Sequence, residues 1–137
     1  LQALQLIMYR KDLLTAEIEK LALVLARIMG FKKELRLKEA EDLFNETLLN
    51  SFGLQRDLIL NNDVAPFSIW LENSNLNAEQ LNSLGDFLFS ELDFEQNPIT
   101  SQLFAQKLNL VYQCLADKHQ TIHLINLGRQ KYIEQYI

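Results

Sequence analysis

Apolar residues recur every three or four positions along most of the chain, which is the spacing of one face of an α-helix. The first such segment predicts a helix from about residue 3 to Met29. Gly30 is predicted to end it, because glycine adopts the left-handed C-cap conformation without steric cost. The apolar stripe of this helix consists of Leu4, Ile7, Leu14, Ile18, Leu21, Leu25 and Ile28.

This first helix is longer than the rest of the chain can cover. It would be about 40 Å long at 1.5 Å per residue, whereas a compact domain of this size is roughly 30 Å across. The N-terminal end is therefore expected to overhang, or to pack on something outside the domain. Leu4 and Ile7 lie at that end and are candidate interface residues.

The remaining pattern predicts further helices and no strand, since no alternating stretch rich in β-branched residues occurs. The second helix is predicted from about Leu35 to Phe52, with Gly53 as its C-cap. Its short connection to the first helix predicts an antiparallel hairpin. Short helices are expected between residues 54 and 76. Three longer ones follow: one that starts near Asn77 and ends by Asn97, one from about Pro98 to Asp117, and one from about Thr121 to the terminus, the last with Ile122, Ile125, Tyr132 and Tyr136 on one face.

Composition agrees with a single all-α domain spanning residues 1–137, since the chain has 28 Leu but only 3 Val and 4 Thr. The net charge of −5 argues against general binding of nucleic acids or anionic membranes. No apolar run reaches the roughly 18 residues of a membrane span. One cysteine excludes an internal disulfide, and no targeting segment is recognisable, so a cytoplasmic location is expected. The chain begins with Leu1 rather than Met, which leaves its true N-terminus open.

Two segments of the chain share a pattern. Leu81-x2-Leu84-Gly85 recurs as Leu124-x2-Leu127-Gly128, at an offset of 43 residues. The match indicates either an internal repeat or a coincidence in a leucine-rich chain. A glycine inside a helix costs about 1 kcal/mol relative to alanine, and it is best tolerated where a neighbouring helix comes close. Gly85 and Gly128 are therefore candidate helix-packing positions.

This pattern resembles the first helix of a tetratricopeptide repeat, and Ala40-x3-Phe44 resembles the second helix of such a repeat. The resemblance implies a degenerate array of helix hairpins, with Ala40 and Phe44 at helix contacts. It also implies binding of peptides or partner proteins in a concave groove. The chain departs from the family at Asn97, where the repeat has alanine. It also lacks the Lys and Asn of the carboxylate-binding members, at whose positions Asn82, Asp86, Ile125 and Arg129 stand.

Candidate chemistry is sparse. His119 and His123 have the spacing of two metal ligands on a helix, but no second His or Cys cluster accompanies them, and residues 117–120 resemble a helix junction. Cys114 lies beside an apolar stripe, which favours a buried, unreactive thiol. The acidic and basic clusters interleave and are expected to be solvated. The sequence therefore predicts no catalytic residue, metal site or cofactor.

The sequence favours an all-α fold of antiparallel helix hairpins, either a degenerate tetratricopeptide-like array or a helical bundle. The first functional hypothesis is a non-enzymatic module that binds a protein partner. The second is a structural homodimer formed through helix one and a C-terminal aromatic face. The third is an enzyme or small-ligand carrier with a pocket between hairpins, lined by Trp70, Tyr112 and His119. The further candidate interface residues are Phe87, Phe89, Tyr132 and Tyr136.

Overall fold

The computed structural model describes residues 2–137, and the regular secondary structure of this part of the chain is α-helical throughout. The all-α fold class is therefore confirmed. The helices are α1 (Gln2–Lys33), α2 (Leu37–Phe52), α3 (Arg56–Leu60), α4 (Ala65–Asn73), α5 (Ala78–Ser90), α6 (Pro98–Asp117) and α7 (Leu124–Glu134).

The helices pack around one buried apolar cluster. The hairpin of α1 and α2 lies against α5, and α5 packs along α6, which in turn contacts α3, α4 and α7. Phe44 of α2 occupies the centre, with its ring centroid 6.2 Å from that of Phe87 and 6.1 Å from that of Phe104. Ala40 is also fully buried on the same face of α2, so both residues of the Ala40-x3-Phe44 pattern lie at helix contacts.

Several helix ends follow their sequence signals. Asn77 forms a capping box with Gln80 at the start of α5, in which each side chain accepts the other residue's backbone N–H. Pro98 occupies the first turn of α6, where its missing N–H leaves no bond unmade. Gly53 ends α2 at a φ of 67°, and the following N–H of Leu54 donates to the Leu48 carbonyl.

The predicted end of the first helix at Gly30 is wrong, because α1 continues to Lys33. The extra turn is held by side chains: Phe31 is half-buried under the guanidinium of Arg36, and Lys32 pairs with Glu91 of the segment after α5 at 3.2 Å. Leu35 then takes the left-handed conformation, with a φ of 60°, that Gly30 was expected to supply.

α5 ends at Ser90, before the predicted limit of Asn97. The last helix differs from the prediction, because α7 begins at Leu124 rather than Thr121. The buried residues of α7 are Asn126 and Ile133, whereas Ile125 and the preceding Ile122 are exposed. Hydrogen bonds from Asn126 and Arg129 to α5 orient α7 in this way.

Candidate interaction surface

The first 16 described residues of α1, residues 2–17, project beyond the core, and we call this segment the overhang. The first fully buried residue of α1 is Leu21, and Ile18 is the first to pack against the core cluster. Leu4 is 58% exposed and Ile7 is 62% exposed. The predicted overhang is thus confirmed. Its other exposed large apolar residues are Leu6, Met8, Tyr9 and Leu13.

Charged residues flank the apolar row of the overhang. Arg10 and Glu17 are both exposed, and within residues 2–137 neither forms an ion pair. Lys11 interrupts the row itself, between Ile7 and Leu14. The apolar row of the overhang therefore has both signs of charge along one edge, a pattern typical of helices that pair with another helix.

A groove begins where the overhang meets the core, and we call it the α1–α5–α7 groove. Its first part has a volume of about 510 Å³ and lies beside Ile18, Leu21 and Leu25 of α1. The second part has a volume of about 650 Å³ and lies between Met29 of α1 and Ile125 of α7. Both parts share a floor formed by α5, so the groove follows α1 for about 17 Å.

The floor of this groove is polar, and its groups bond one another. The Asn126 side-chain N–H of α7 donates to the Asn82 Oδ1 of α5 at 2.7 Å. The Arg129 guanidinium donates to Asp86 Oδ1 at 2.6 Å and lies 4.5 Å from the centroid of the Phe89 ring. These two bonds between α5 and α7 hold α7 with Asn126 inward and leave its neighbouring leucines and isoleucines in solvent.

The aromatic candidates fall into two groups. Phe87 is only 1% exposed and contacts Phe44 and Phe52, so it belongs to the core rather than to an exposed interface. Phe89, Tyr132 and Tyr136 instead cluster with Phe94 near the C-terminus, where the rings of Phe94 and Tyr136 stack at 3.6 Å. These rings contact one another within the chain, and Tyr132 remains partly exposed.

The two glycines of the sequence echo lie in different surroundings. A Cβ added at Gly85 would lie 3.3 Å from the Tyr112 ring of α6, so α5 and α6 approach closely there. A Cβ at Gly128 would meet no atom within 4 Å, so no helix packs at that position. The leucines differ too, since Leu81 is buried and Leu124 is exposed.

The two histidines lie on different elements. His119 lies in the turn after α6, and His123 occupies the N-cap position of α7 without a side-chain capping bond, so they share no helical face. Within residues 2–137, no three His, Cys, Asp or Glu side chains are close enough to hold a metal ion. Burial raises the pKa of the Cys114 thiol, which disfavours the reactive thiolate.

The three residues of the hypothetical ligand pocket are separated. Trp70 donates its indole N–H to the Gly53 carbonyl at 3.0 Å. Tyr112 packs against Gly85 and lines a cavity of only about 60 Å³, which neither Trp70 nor His119 borders. Burial also raises the pKa of Tyr112 to about 12, so this phenol is a poor acid at neutral pH.

The basic cluster after α1 is largely neutralised by acidic neighbours. Arg36 donates to Glu34 at 3.2 Å and also to Glu39. Lys38 lies 3.5 Å from the Asp42 carboxylate, one turn along α2. These local pairs agree with a solvated helix junction rather than a phosphate site.

Among the helices of residues 2–137, none is both long and apolar enough to cross a membrane. We compared the chain with models of protein families, with curated proteins and with solved structures, and none of the three comparisons finds a match.

Proposed function

We propose that this chain is a non-enzymatic protein-interaction module that binds its partner through the overhang and the adjoining α1–α5–α7 groove. One observation carries the proposal: a helical segment of 16 residues, with large apolar side chains, extends beyond the core. The resemblance to tetratricopeptide repeats, whose members bind peptides or partner proteins, points to the same class of function.

The energetics of the overhang support this proposal. An isolated helix of this length is marginally stable in water. Full burial of a large apolar side chain contributes about 1.5–3 kcal/mol, so completing the burial of the six half-exposed ones in the overhang would contribute about 5–9 kcal/mol. A gain of this size offsets a substantial part of the roughly 4–15 kcal/mol that association costs. The overhang thus gains a stable environment when a partner covers it.

A cytoplasmic location forms part of this proposal. The single cysteine, Cys114, cannot form a disulfide within the chain, which suits a reducing compartment. We assign no catalytic role, because burial raises the pKa of the Cys114 thiol and, within residues 2–137, the buried His119 Nε2 has no hydrogen-bond partner.

Affinity capture from the cells that produce the protein tests the proposal. The wild-type chain should recover a partner in near-stoichiometric amount, and Ile7→Asp should lose it because a charge then lies on the overhang's apolar row. Leu23→Asp is the matched control, since Leu23 is an exposed α1 residue outside the overhang. Recovery of no stoichiometric partner, or recovery that Ile7→Asp leaves unchanged, would contradict the proposal.

A further inference from the structure

We propose that the overhang pairs with the overhang of a second copy of this chain, as an antiparallel two-helix contact in one specific register. This inference rests on the proposed function, because it names the partner of the same surface. It follows from the spacing of the apolar row, from the position of Lys11 in that row, and from the charges of Arg10 and Glu17 at its edge.

The overhang continues the row of side chains that α1 buries in its own core. Leu21 and Ile28 are buried, and Leu25 packs against the same cluster. Toward the N-terminus the row passes through Ile18, Leu14, Lys11, Ile7 and Leu4, in alternating steps of three and four residues. This is the heptad spacing of two helices that pack side by side. A second helix can therefore extend the seam that the core begins.

Lys11 determines the direction of the second helix. In a parallel pair in register, Lys11 of one copy would lie opposite Lys11 of the other, with two like charges inside the seam. In an antiparallel pair, Lys11 lies opposite an apolar residue of the second copy, which is Ile7 or Leu14 depending on the register. The lysine stem then covers that apolar side chain while its ammonium group reaches water. The antiparallel direction is therefore favoured.

The edge charges select between two antiparallel registers. The shorter register pairs Leu4 with Leu14 and places Arg10 beside Arg10 of the second copy, which is repulsive. The longer register pairs Ile7 with Ile18 of the second copy and brings Arg10 beside its Glu17. Symmetry produces this contact twice. The longer register also extends the overlap from about 15 Å to about 26 Å, and it adds apolar layers.

The α1–α5–α7 groove provides room for the longer register. That register carries Leu4 of one copy to Leu21 of the other, at the point where the core begins. The groove opens there, with a volume of about 510 Å³ bordered by Ile18, Leu21 and Leu25. The end of one overhang is therefore directed toward the opening of the groove in the second copy.

Sedimentation equilibrium of the full chain, from about 1 to 100 µM, tests the pairing. We expect a dimer. Glu17→Arg should raise the dissociation constant about tenfold or more, because two attractive contacts become repulsive. Adding Arg10→Glu should return it to within about threefold of wild type, since the charges are then exchanged. Glu19→Arg makes the same charge change outside the row, and it should have little effect.

Distances between spin labels test the direction. Labels are placed one at a time at Gln5→Cys and Asp12→Cys, in a Cys114→Ala background. In the antiparallel register the two copies of residue 12 lie nearly side by side, whereas the two copies of residue 5 are offset by about 22 Å along the helices. A parallel pair would give similar distances at both sites.

Three results would overturn the inference. They are a monomer at 100 µM, a dimer whose dissociation constant is unchanged by Glu17→Arg and by the added Arg10→Glu, and equal label distances at residues 5 and 12. If the purified chain is monomeric and capture of a different protein still depends on Ile7, the proposed function stands and only the second-copy inference fails. If neither the dimer nor a captured partner is found, both fail.

Discussion

Alanine substitutions at the two helical glycines should change stability in opposite directions. Gly85 and Gly128 lie inside α5 and α7, and both would gain helix propensity from a methyl group. The gain is about 1 kcal/mol per site in a helix interior. The difference between the sites therefore lies in what the added methyl group meets.

At Gly85 the methyl group would lie 3.3 Å from the Tyr112 ring, which is only 4% exposed. The ring must shift by a few tenths of an ångström inside packed surroundings, and overpacking of this kind costs about 1–3 kcal/mol. We expect Gly85→Ala to be destabilising by up to about 2 kcal/mol, once the propensity gain is subtracted. At Gly128 nothing lies within 4 Å, so Gly128→Ala should stabilise by about 0.5–1 kcal/mol.

Urea unfolding monitored by circular dichroism measures both changes in the free energy of unfolding. In thermal unfolding, each kcal/mol should shift Tm by about 2–4 °C for a chain of this size. A Gly85→Ala variant as stable as Gly128→Ala would refute the assignment of Gly85 to a close approach of α5 and α6. A destabilised Gly128→Ala would refute the open surroundings of Gly128.

Three further predictions follow from single residues. Leu35→Gly should stabilise the chain by about 1 kcal/mol in urea unfolding, because Leu35 is exposed and has a positive φ, which glycine adopts without strain. As the control, Leu37→Gly in the first turn of α2 should destabilise the chain. Lys107 is fully buried and donates to the Asn61 carbonyl, so Lys107→Met should cost about 1–3 kcal/mol. Burial lowers the pKa of Lys107 below its usual 10.5, so just below pH 10.5 the unfolded chain binds more protons than the folded chain. The contribution of Lys107 to the free energy of unfolding should therefore rise with pH in that range, and Lys107→Met should lose this rise. In an absorbance titration, Tyr112 should ionise near pH 12, and Tyr112→Phe should lose that step. Because the pKa of Tyr112 is raised from 10.0 in the folded chain, the contribution of Tyr112 to stability should fall between pH 10 and about 12.

The sequence predicted best those elements that local chemistry alone determines. α6 runs from Pro98 to Asp117 as expected, because a proline begins it and a continuous apolar row follows. The cap at Asn77 and the end of α2 at Gly53 are likewise local, since each is satisfied by atoms a few residues away. Such features need no knowledge of the rest of the fold.

Gly30 shows where local chemistry was insufficient. A glycine after an apolar row is a good stop signal, yet the next turn gains an ion pair of Lys32 with Glu91 and a bond from Lys32 to the Ser90 carbonyl. These partners are 58 and 59 residues away in sequence. No pattern near Gly30 indicates them, so the extra turn could not be predicted.

The candidate interface was predicted in part. The length of α1 against the size of the domain indicated the overhang and selected Leu4 and Ile7, both of which are exposed. The groove was missed, because it depends on α7 lying over α5 with Asn126 inward. One signal was available: Asp86 precedes Arg129 by 43 residues, which is the offset of the echo, and Asn82 precedes Asn126 by 44, and each of these pairs forms a hydrogen bond.

The pairing of these polar groups also bears on whether the groove can be covered. An unpaired polar group that loses its water costs about 1–3 kcal/mol, so a floor of free side chains would resist an apolar occupant. Here Asn126 already donates to Asn82, and Arg129 to Asp86, at 2.7 and 2.6 Å. Covering the floor therefore leaves fewer hydrogen-bonding groups unpaired than it would if these side chains were free. The apolar walls formed by Leu21 and Leu25 also gain contacts. A groove of this kind suits the leucine end of a second overhang better than it suits a charged ligand, which would have to break those bonds to be recognised.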